Sequence, residues 1–334
     1  MKGCYAISVM QPFSLKENVL YSYRTYFRLL WKTFSAPPNG SARLTPRRFV
    51  VMIFFSLALF VVQSLHWFAF AVDEILYRTY KSIDVREPLF VVGVPRSGTT
   101  FLHRLLSQDQ ARFTTFTLWE LLIAPSITER KIVFGLAALD RKVGAPLKGL
   151  LRRIERSAVA GLDNIHRISL SDPEEDYFTL VPIYACFILI LPFPFPEYLR
   201  HLAFFDDDTP GEEKDRIMAF YKTCLQRHLY VHGTEKRLLS KNVSFSPMLE
   251  ALIRTFPDCR FIGTVRNPRL AIPSHISSMT AGAAWFGNHI EIERFTKEMM
   301  TIQRYAYSHL MSLLPQLAED RQVMIRMEDL SGDL

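Results

Sequence analysis

The first pattern along the chain is a long apolar run without a charge. From residue 49 to 72 it reads FVVMIFFSLALFVVQSLHWFAFAV, about the length a helix needs to cross a hydrocarbon core. Gln63, Ser64 and His66 weaken its second half, whereas Trp67 and Phe68 suit a membrane interface. Ahead of it a short helix is expected around 21–34, closed by the breaker Ala36-Pro37-Pro38-Asn39-Gly40. Behind it two periodicities alternate. Apolar, β-rich runs stand at 89–94, 238–239, 260–265 and 323–327, and helical spacing occupies 99–107, 213–231, 247–255 and 290–314. Strand and helix in alternation predict an α/β fold, a mostly parallel sheet flanked by helices and preceded by one transmembrane or membrane-associated helix. A second apolar run, 181–196, is too short and too Pro-broken to span a bilayer. It predicts a buried helix followed by an extended turn, or else the lining of an apolar acceptor pocket or a segment dipping into the membrane.

Charge orients the first run. Arg43, Arg47 and Arg48 precede it, and Asp73 and Glu74 follow. The positive-inside rule then leaves the N-terminus in the cytosol and the bulk of the chain on the opposite face. The expected division is a cytosolic segment 1–48, an anchor helix 49–76 and an α/β domain 82–334. That describes a single-pass membrane protein, with its domain in a Golgi-type lumen if the cell is eukaryotic and inner-membrane associated otherwise. A rival reading lays the helix in the membrane plane and keeps the whole chain cytosolic. A cleaved signal peptide does not fit a run that starts at residue 49.

Composition narrows the partners less. With 334 residues, 49% of them hydrophobic and 13% aromatic, a substantial core forms and wholesale disorder is excluded. The net charge of +7 suits a ligand with several phosphates and equally an anionic membrane surface; no nucleic-acid partner is expected. Cys4, Cys186, Cys224 and Cys259 are scattered, with no CxxC and no His at ligand spacing, so they read as free core thiols and no metal is expected.

The strongest chemical signal is LFVVGVPRSGTTFLHRLL, residues 89–106. A buried strand runs into a Gly-bounded loop, which opens an amphipathic helix. Gly93 to Thr100 has the spacing of the P-loop GxxxxGK[ST], with Thr99 where the lysine belongs. Backbone N–H groups at such a helix start cradle a phosphate. The missing lysine normally reaches the β and γ phosphates, so ordinary ATP hydrolysis is not implied; Arg96 supplies a cation from inside the loop instead.

On these residues the chain resembles the sulfotransferases that use 3′-phosphoadenosine 5′-phosphosulfate (PAPS), in the branch with a PRSGTT loop, here Pro95 to Thr100. The resemblance implies that Arg96 contacts the 5′-phosphate and the sulfuryl group in transfer. It also implies that Ser97, Gly98, Thr99 and Thr100 complete the cradle with backbone and hydroxyl donors. A second anion pocket follows from it. The strand Arg260-Phe-Ile-Gly-Thr-Val ends on Arg266, and Ser274 comes eight residues on, as in the family's 3′-phosphate motif; a guanidinium fork and a hydroxyl suit one phosphate. Leu238-Leu-Ser-Lys241-Asn242 and the late Glu328-Asp-Leu330 also resemble family elements, with Val243 where relatives often have proline. The likeness runs from about residue 88 to 334, and the chain stops where relatives usually continue with further helices, so truncation at the C-terminus is expected. The co-substrate implied is PAPS, with no metal; the acceptor is a glycan, a lipid or a small alcohol.

Sulfuryl transfer to a hydroxyl needs a group that takes the proton. The segment His166-Arg-Ile-Ser-Leu-Ser-Asp-Pro-Glu-Glu-Asp176 offers His166, Glu174 and Glu175, and resembles a stretch that lies near the acceptor in this branch. Asp172-Pro173-Glu174-Glu175 is also a good helix start, in which Glu175 closes a capping box. Two other functions stay open. A P-loop kinase or NTPase would need the absent lysine and an acid after a neighbouring strand, where Lys241 stands; a non-catalytic membrane protein would keep a vestigial nucleotide pocket. Asn39-Gly-Ser41 and Asn242-Val-Ser244 match the glycosylation pattern, a match common by chance.

Overall fold

The computed structural model describes residues 13–37, 40–145, 149 and 169–332. The chain begins with an antiparallel-linked helix pair. Helix α1 (Leu15–Phe34) starts at a capping box between Ser14 and Glu17, and α2 (Pro46–Leu76) is capped by the Thr45 hydroxyl with Pro46 at its first turn. Both are longer than the apolar spacing alone predicts, because capping extends each by several residues.

Five parallel strands form the sheet: β1 (Leu89–Gly93), β2 (Phe113–Thr114), β3 (Arg237–Lys241), β4 (Arg260–Val265) and β5 (Gln322–Arg326), in the order β2-β3-β1-β4-β5. Strand β1 sits at the centre, with Phe90 opposite Ser240 on one side and Phe261 on the other. Buried on both faces, it reads as the unbroken apolar run that a central parallel strand needs. The remaining helices used below are α3 (Thr99–Leu106), α4 (Leu118–Leu122), α5 (Ile127–Lys142), α6 (Gly211–His232), α7 (Leu249–Thr255), α8 (Pro268–Trp285), α9 (Ile292–Leu313) and α10 (Met327–Gly332). The expected α/β class is the one observed. Strand β2 is only two residues long, too short to leave a periodicity, and the expected helix 247–255 starts as a 3-10 turn (Val243–Met248) before α7. Cys186, Cys224 and Cys259 are free buried thiols; Cys4 lies outside the described residues.

The expected anchor helix is packed along the domain. Arg48, fully buried near the start of α2, donates to the carbonyls of Phe286 (3.2 Å) and Pro192 (3.1 Å). Near the other end Asp73 accepts from the backbone N–H groups of Ile127 and Thr128, both at 2.9 Å, and from Arg227 Nε at 3.1 Å. Between them His66 meets Glu129 at 2.7 Å and Trp67 Nε1 donates to Ser22. The polar residues that weaken the apolar run therefore face the protein. The opposite face carries Val50, Ile53, Phe54, Leu57, Val61, Leu65 and Phe68 in the open, at the i, i+3, i+4 spacing of one helix side.

Segment 181–196 also departs from the expected buried helix with an extended turn after it, and its Phe187 and Ile188 line a cavity, as the pocket alternative has it. Pro182 sits inside a 3-10 helix (Asp176–Ile183), a second 3-10 turn (Phe187–Ile190) follows, and one α turn begins at Pro196. Prolines removed the donors that a continuous α-helix would have needed.

Candidate active site

In a parallel sheet, ligands gather at the C-terminal ends of strands where the chain changes direction. Here the chain runs from β1 to β2 and β3 on one side, then crosses to β4 and β5 on the other. That switch places the ends of β1, β3 and β4 together, and with them Arg96, Lys241 and Arg266.

The loop after β1 is built for close approach. A Cβ on Gly93 would lie 2.2 Å from Thr264 Oγ1, and one on Gly98 would lie 2.2 Å from Met327 Sδ. Arg96 (φ +70°) and Gly98 (φ +84°) both take the left-handed conformation, as in anion-binding nests. The first N–H groups of α3 follow directly, and the opening turn of any helix has no intrahelical acceptors for them. Holding a non-glycine residue such as Arg96 in that conformation costs of order 1–3 kcal/mol, so the surrounding contacts have to hold it.

Ser97 supplies those contacts. Its hydroxyl, fully buried, donates to Val94 O and shares a hydrogen bond with Thr264 Oγ1, both at 2.7 Å, while its N–H bonds Val94 O at 3.3 Å. Of the expected cradle, Ser97 thus braces the loop with both its hydroxyl and its N–H. Thr99 is buried and Thr100 half-buried at the start of α3.

Arg96, Ser274 and Arg266 are brought together. Arg96 Nε donates to Ser274 Oγ at 2.9 Å, and an Arg266 guanidinium nitrogen donates to Arg96 O at 3.1 Å. They arrive from three elements: the β1 loop, the second turn of α8, and the end of β4. Helix α8 starts immediately after β4 because Asn267 caps it and Pro268 occupies its first position. The Arg266 carbonyl accepts from Tyr307 on α9, and the Asn267 N–H donates to Glu328 at 2.9 Å. The late Glu-Asp-Leu segment is thereby tied to the strand-end arginine.

Glu175 corrects the capping-box reading. Residues 172–175 begin no α-helix: Leu118 N donates to Asp172 O, Glu174 N donates to Phe116 O, and Pro173 bridges Thr117. Pairing with the start of α4 supplies backbone partners that a cap would otherwise provide, so the Glu175 side chain is released to Lys241 Nζ at 2.9 Å. Burial works against the charge of Lys241, but Glu175 and Glu174 (3.7 Å) outweigh it and hold the ammonium above its usual range. Beside them Asp176 is buried, accepting from Ser240 Oγ at 2.8 Å and from Tyr221; burial pushes its carboxyl up to about 7 despite those donors. His166 lies outside the described residues. Asn242 is buried, its side chain accepting from Ser244 N, which leaves no room for a glycan.

Between the loop and α9 lies a chamber of about 140 Å³, lined by Pro95, Glu175, Ser244, His275 and Gln303 among apolar neighbours. His275, one residue past Ser274, was not legible as a site residue, since nothing in its spacing sets it apart. Burial, with Arg96 adding to it, depresses the imidazole to about 4, and its Nδ1 lies 2.8 Å from Gln303 Nε2. It is neutral at physiological pH.

A separate cluster joins Glu120 with His228 and His232, which stand one turn apart on α6; the pair has ligand spacing, but only the fold brings the distant Glu120 to it. Its shared carboxylate oxygen lies 2.6 Å from His232 Nε2 and 3.3 Å from the fully buried Arg130. The guanidinium already supplies a positive charge there.

A parallel sheet with a strand–loop–helix anion cradle and an arginine at the next strand end defines a group-transfer class of site. The chain belongs to the sulfotransferase family, whose sequence model matches residues 88–334. It is 28% identical over 204 residues to omega-hydroxy-beta-dihydromenaquinone-9 sulfotransferases of Mycobacterium tuberculosis and Mycobacterium bovis, over 60% of this chain and 47% of the relative. The matched region thus spans about half the length of those relatives. In fold it is similar to the sulfotransferase STF9 of Mycobacterium avium (TM-score 0.67, 18% identity, all of this chain and 82% of that one). It is also similar to STF1 of Mycobacterium tuberculosis (TM-score 0.60, 16% identity, 94% and 79%).

Proposed function

We propose that this chain transfers a sulfuryl group from PAPS to the hydroxyl of a lipid-like acceptor at a membrane surface. The observation that carries this reading is the convergence of Arg96, Ser274 and Arg266 around a lysine-free phosphate loop. Arg96 and the N–H groups that open α3 hold the 5′-phosphate side of the donor; Arg266 and Ser274 hold the 3′-phosphate. Glu175 takes the proton of the acceptor hydroxyl while the acceptor oxygen forms a new S–O bond and the bond to the donor's bridging oxygen breaks. The proton ends on the carboxylate, the electron pair of the broken bond on the leaving phosphate, and Arg96 offsets the charge that develops there. Lys241 orients Glu175 through the 2.9 Å contact.

The curated relatives act, by name, on a hydroxylated quinone, and the mostly apolar chamber beside Glu175 supports an acceptor of that character. The α2 helix is long and apolar enough to cross a membrane by length and composition. Arg48 and Asp73, near its two ends, bond to the same body. That supports α2 lying in the membrane plane, its exposed face on the lipid, in place of the crossing that its hydropathy suggests.

Titration of the full chain with 3′-phosphoadenosine 5′-phosphate against ATP tests the donor site. Tight binding of the bisphosphate is expected, weakened about tenfold to a hundredfold in Arg266→Ala, as loss of a charge-assisted bond of ~1.5–3 kcal/mol predicts. Preference for ATP with magnesium would overturn the reading.

A further inference from the structure

The reacting chamber has a larger neighbour. A groove of about 560 Å³ runs between the α1–α2 turn, segment 187–197 and the first turns of α9, within the ~300–1,000 Å³ typical of small-molecule sites. The two spaces are adjacent: Phe187 and Ile302 line both. Met279 on the chamber side and Met299 on the groove side belong to one small apolar cluster with Ala203 and Phe204. The partition is therefore a layer of side chains, two of them methionines, which rearrange at low cost.

The groove changes character along its length. Toward the chamber it is lined by Phe187, Ile190, Leu191 and Ile302. Its polar lining includes the ion pair Arg200–Glu298 (2.6 Å), one helical turn from Ile302, and at the outer end Lys32–Glu197 (3.7 Å). That outer end lies beneath the turn formed by Ala36, Gly40 and Ser41, where the exposed apolar side of α2 begins at Phe49 and Val50. Exposed Arg43 and Arg47 stand beside it, at the height where lipid phosphates meet an interfacial helix. Polar side chains also line the groove, but Phe187, Ile190, Leu191, Phe295, Met299 and Ile302 give it a continuous apolar wall, which suits a hydrocarbon chain better than a glycan.

We infer that this groove seats the hydrocarbon chain of a membrane-resident alcohol, which enters under the α1–α2 turn and presents its hydroxyl to Glu175 past Phe187 and Ile302. The inference rests on the sulfuryl-transfer reading and assigns its acceptor to long-chain lipids with a hydroxyl at one end.

Photolabelling tests it. The probe is hexadecanol with a diazirine at its methyl end, carried in phosphatidylcholine–phosphatidylglycerol vesicles with the full chain and 3′-phosphoadenosine 5′-phosphate. Label is expected in peptides covering 187–197 and 290–302, competed by plain hexadecanol. It is expected to be lost in Ile190→Trp, a variant checked by its melting temperature and bisphosphate affinity. Should that variant not fold, Ile290→Trp narrows the groove from the opposite wall. Label confined to the outer side of α2, or unchanged in a folded groove variant, overturns the inference. Groove labelling without any bisphosphate binding would instead sink the sulfotransferase reading and leave the chain seat standing.

Discussion

At the scale of single residues, the chemistry turns on which side chains the backbone has already satisfied. Ser97, expected beside the donor, braces the loop through its hydroxyl, and Asp172, which looks like a helix cap in sequence, accepts from Arg104 at 3.0 Å. Glu175 is the reverse: a residue with a good structural role on paper that the fold turns into a chamber. Glu175→Gln keeps the size and an acceptor for Lys241 but cannot take a proton. Its turnover should fall by about 10²–10⁴, with bisphosphate affinity retained. If His275→Gln carried that loss and Glu175→Gln did not, the proton would go to the neutral imidazole. Asp176 gives a prediction of another kind. Its carboxyl is raised from the ordinary 3.8 to about 7, so the folded state binds more protons than the unfolded one between those values. Its contribution to stability is whole below about pH 4 and is lost as pH rises through about 7. Asp176→Asn should remove that component, so the drop in the urea midpoint between pH 5 and pH 8 should be smaller than in the wild type; an unchanged drop would refute the assignment.

At the scale of elements, α2 shows how one helix can carry two unlike faces, one bonded to the protein and one apolar and exposed. The inward residues Gln63 and His66 interrupt a hydropathic run that Arg48 and Asp73 bound, and all four are buried. Asp73 has the most partners, holding two N–H groups at the start of α5 and the buried Arg227. A carboxylate at a helix N-terminus is favoured by the dipole as well as by its hydrogen bonds. Asp73→Ala would strand a buried guanidinium and should cost about 3–5 kcal/mol, read as a lower unfolding midpoint; a loss below about 1 kcal/mol would mean that Glu74, 3.2 Å from Arg227, compensates fully. The same logic explains 181–196. Proline spacing ruled out a long helix, but which surface the broken segment would line depended on partners far away in sequence.

At the scale of the whole molecule, the parallel sheet gathers three strand ends into one site, and the helix pair packs its apolar side outward beside the groove that leads there. Alternating periodicities made the α/β class, the central strand and the phosphate loop legible, because hydrophobic spacing and the Gly-x4-Gly loop are local properties that no distant contact has to supply. Arg96, Arg266 and Ser274 stood out for the same reason: they occupy set places after strands. His275, the Lys241–Glu175 pair and the two joined cavities could not be read, since each depends on residues from separate elements whose approach is set by packing. The seat of α2 belongs with them. Its hydropathy determined only that α2 is long and apolar enough to cross a membrane; the tertiary bonds of Arg48 and Asp73 decided which side faces the protein, because a buried polar group must find its partner wherever the fold has placed one.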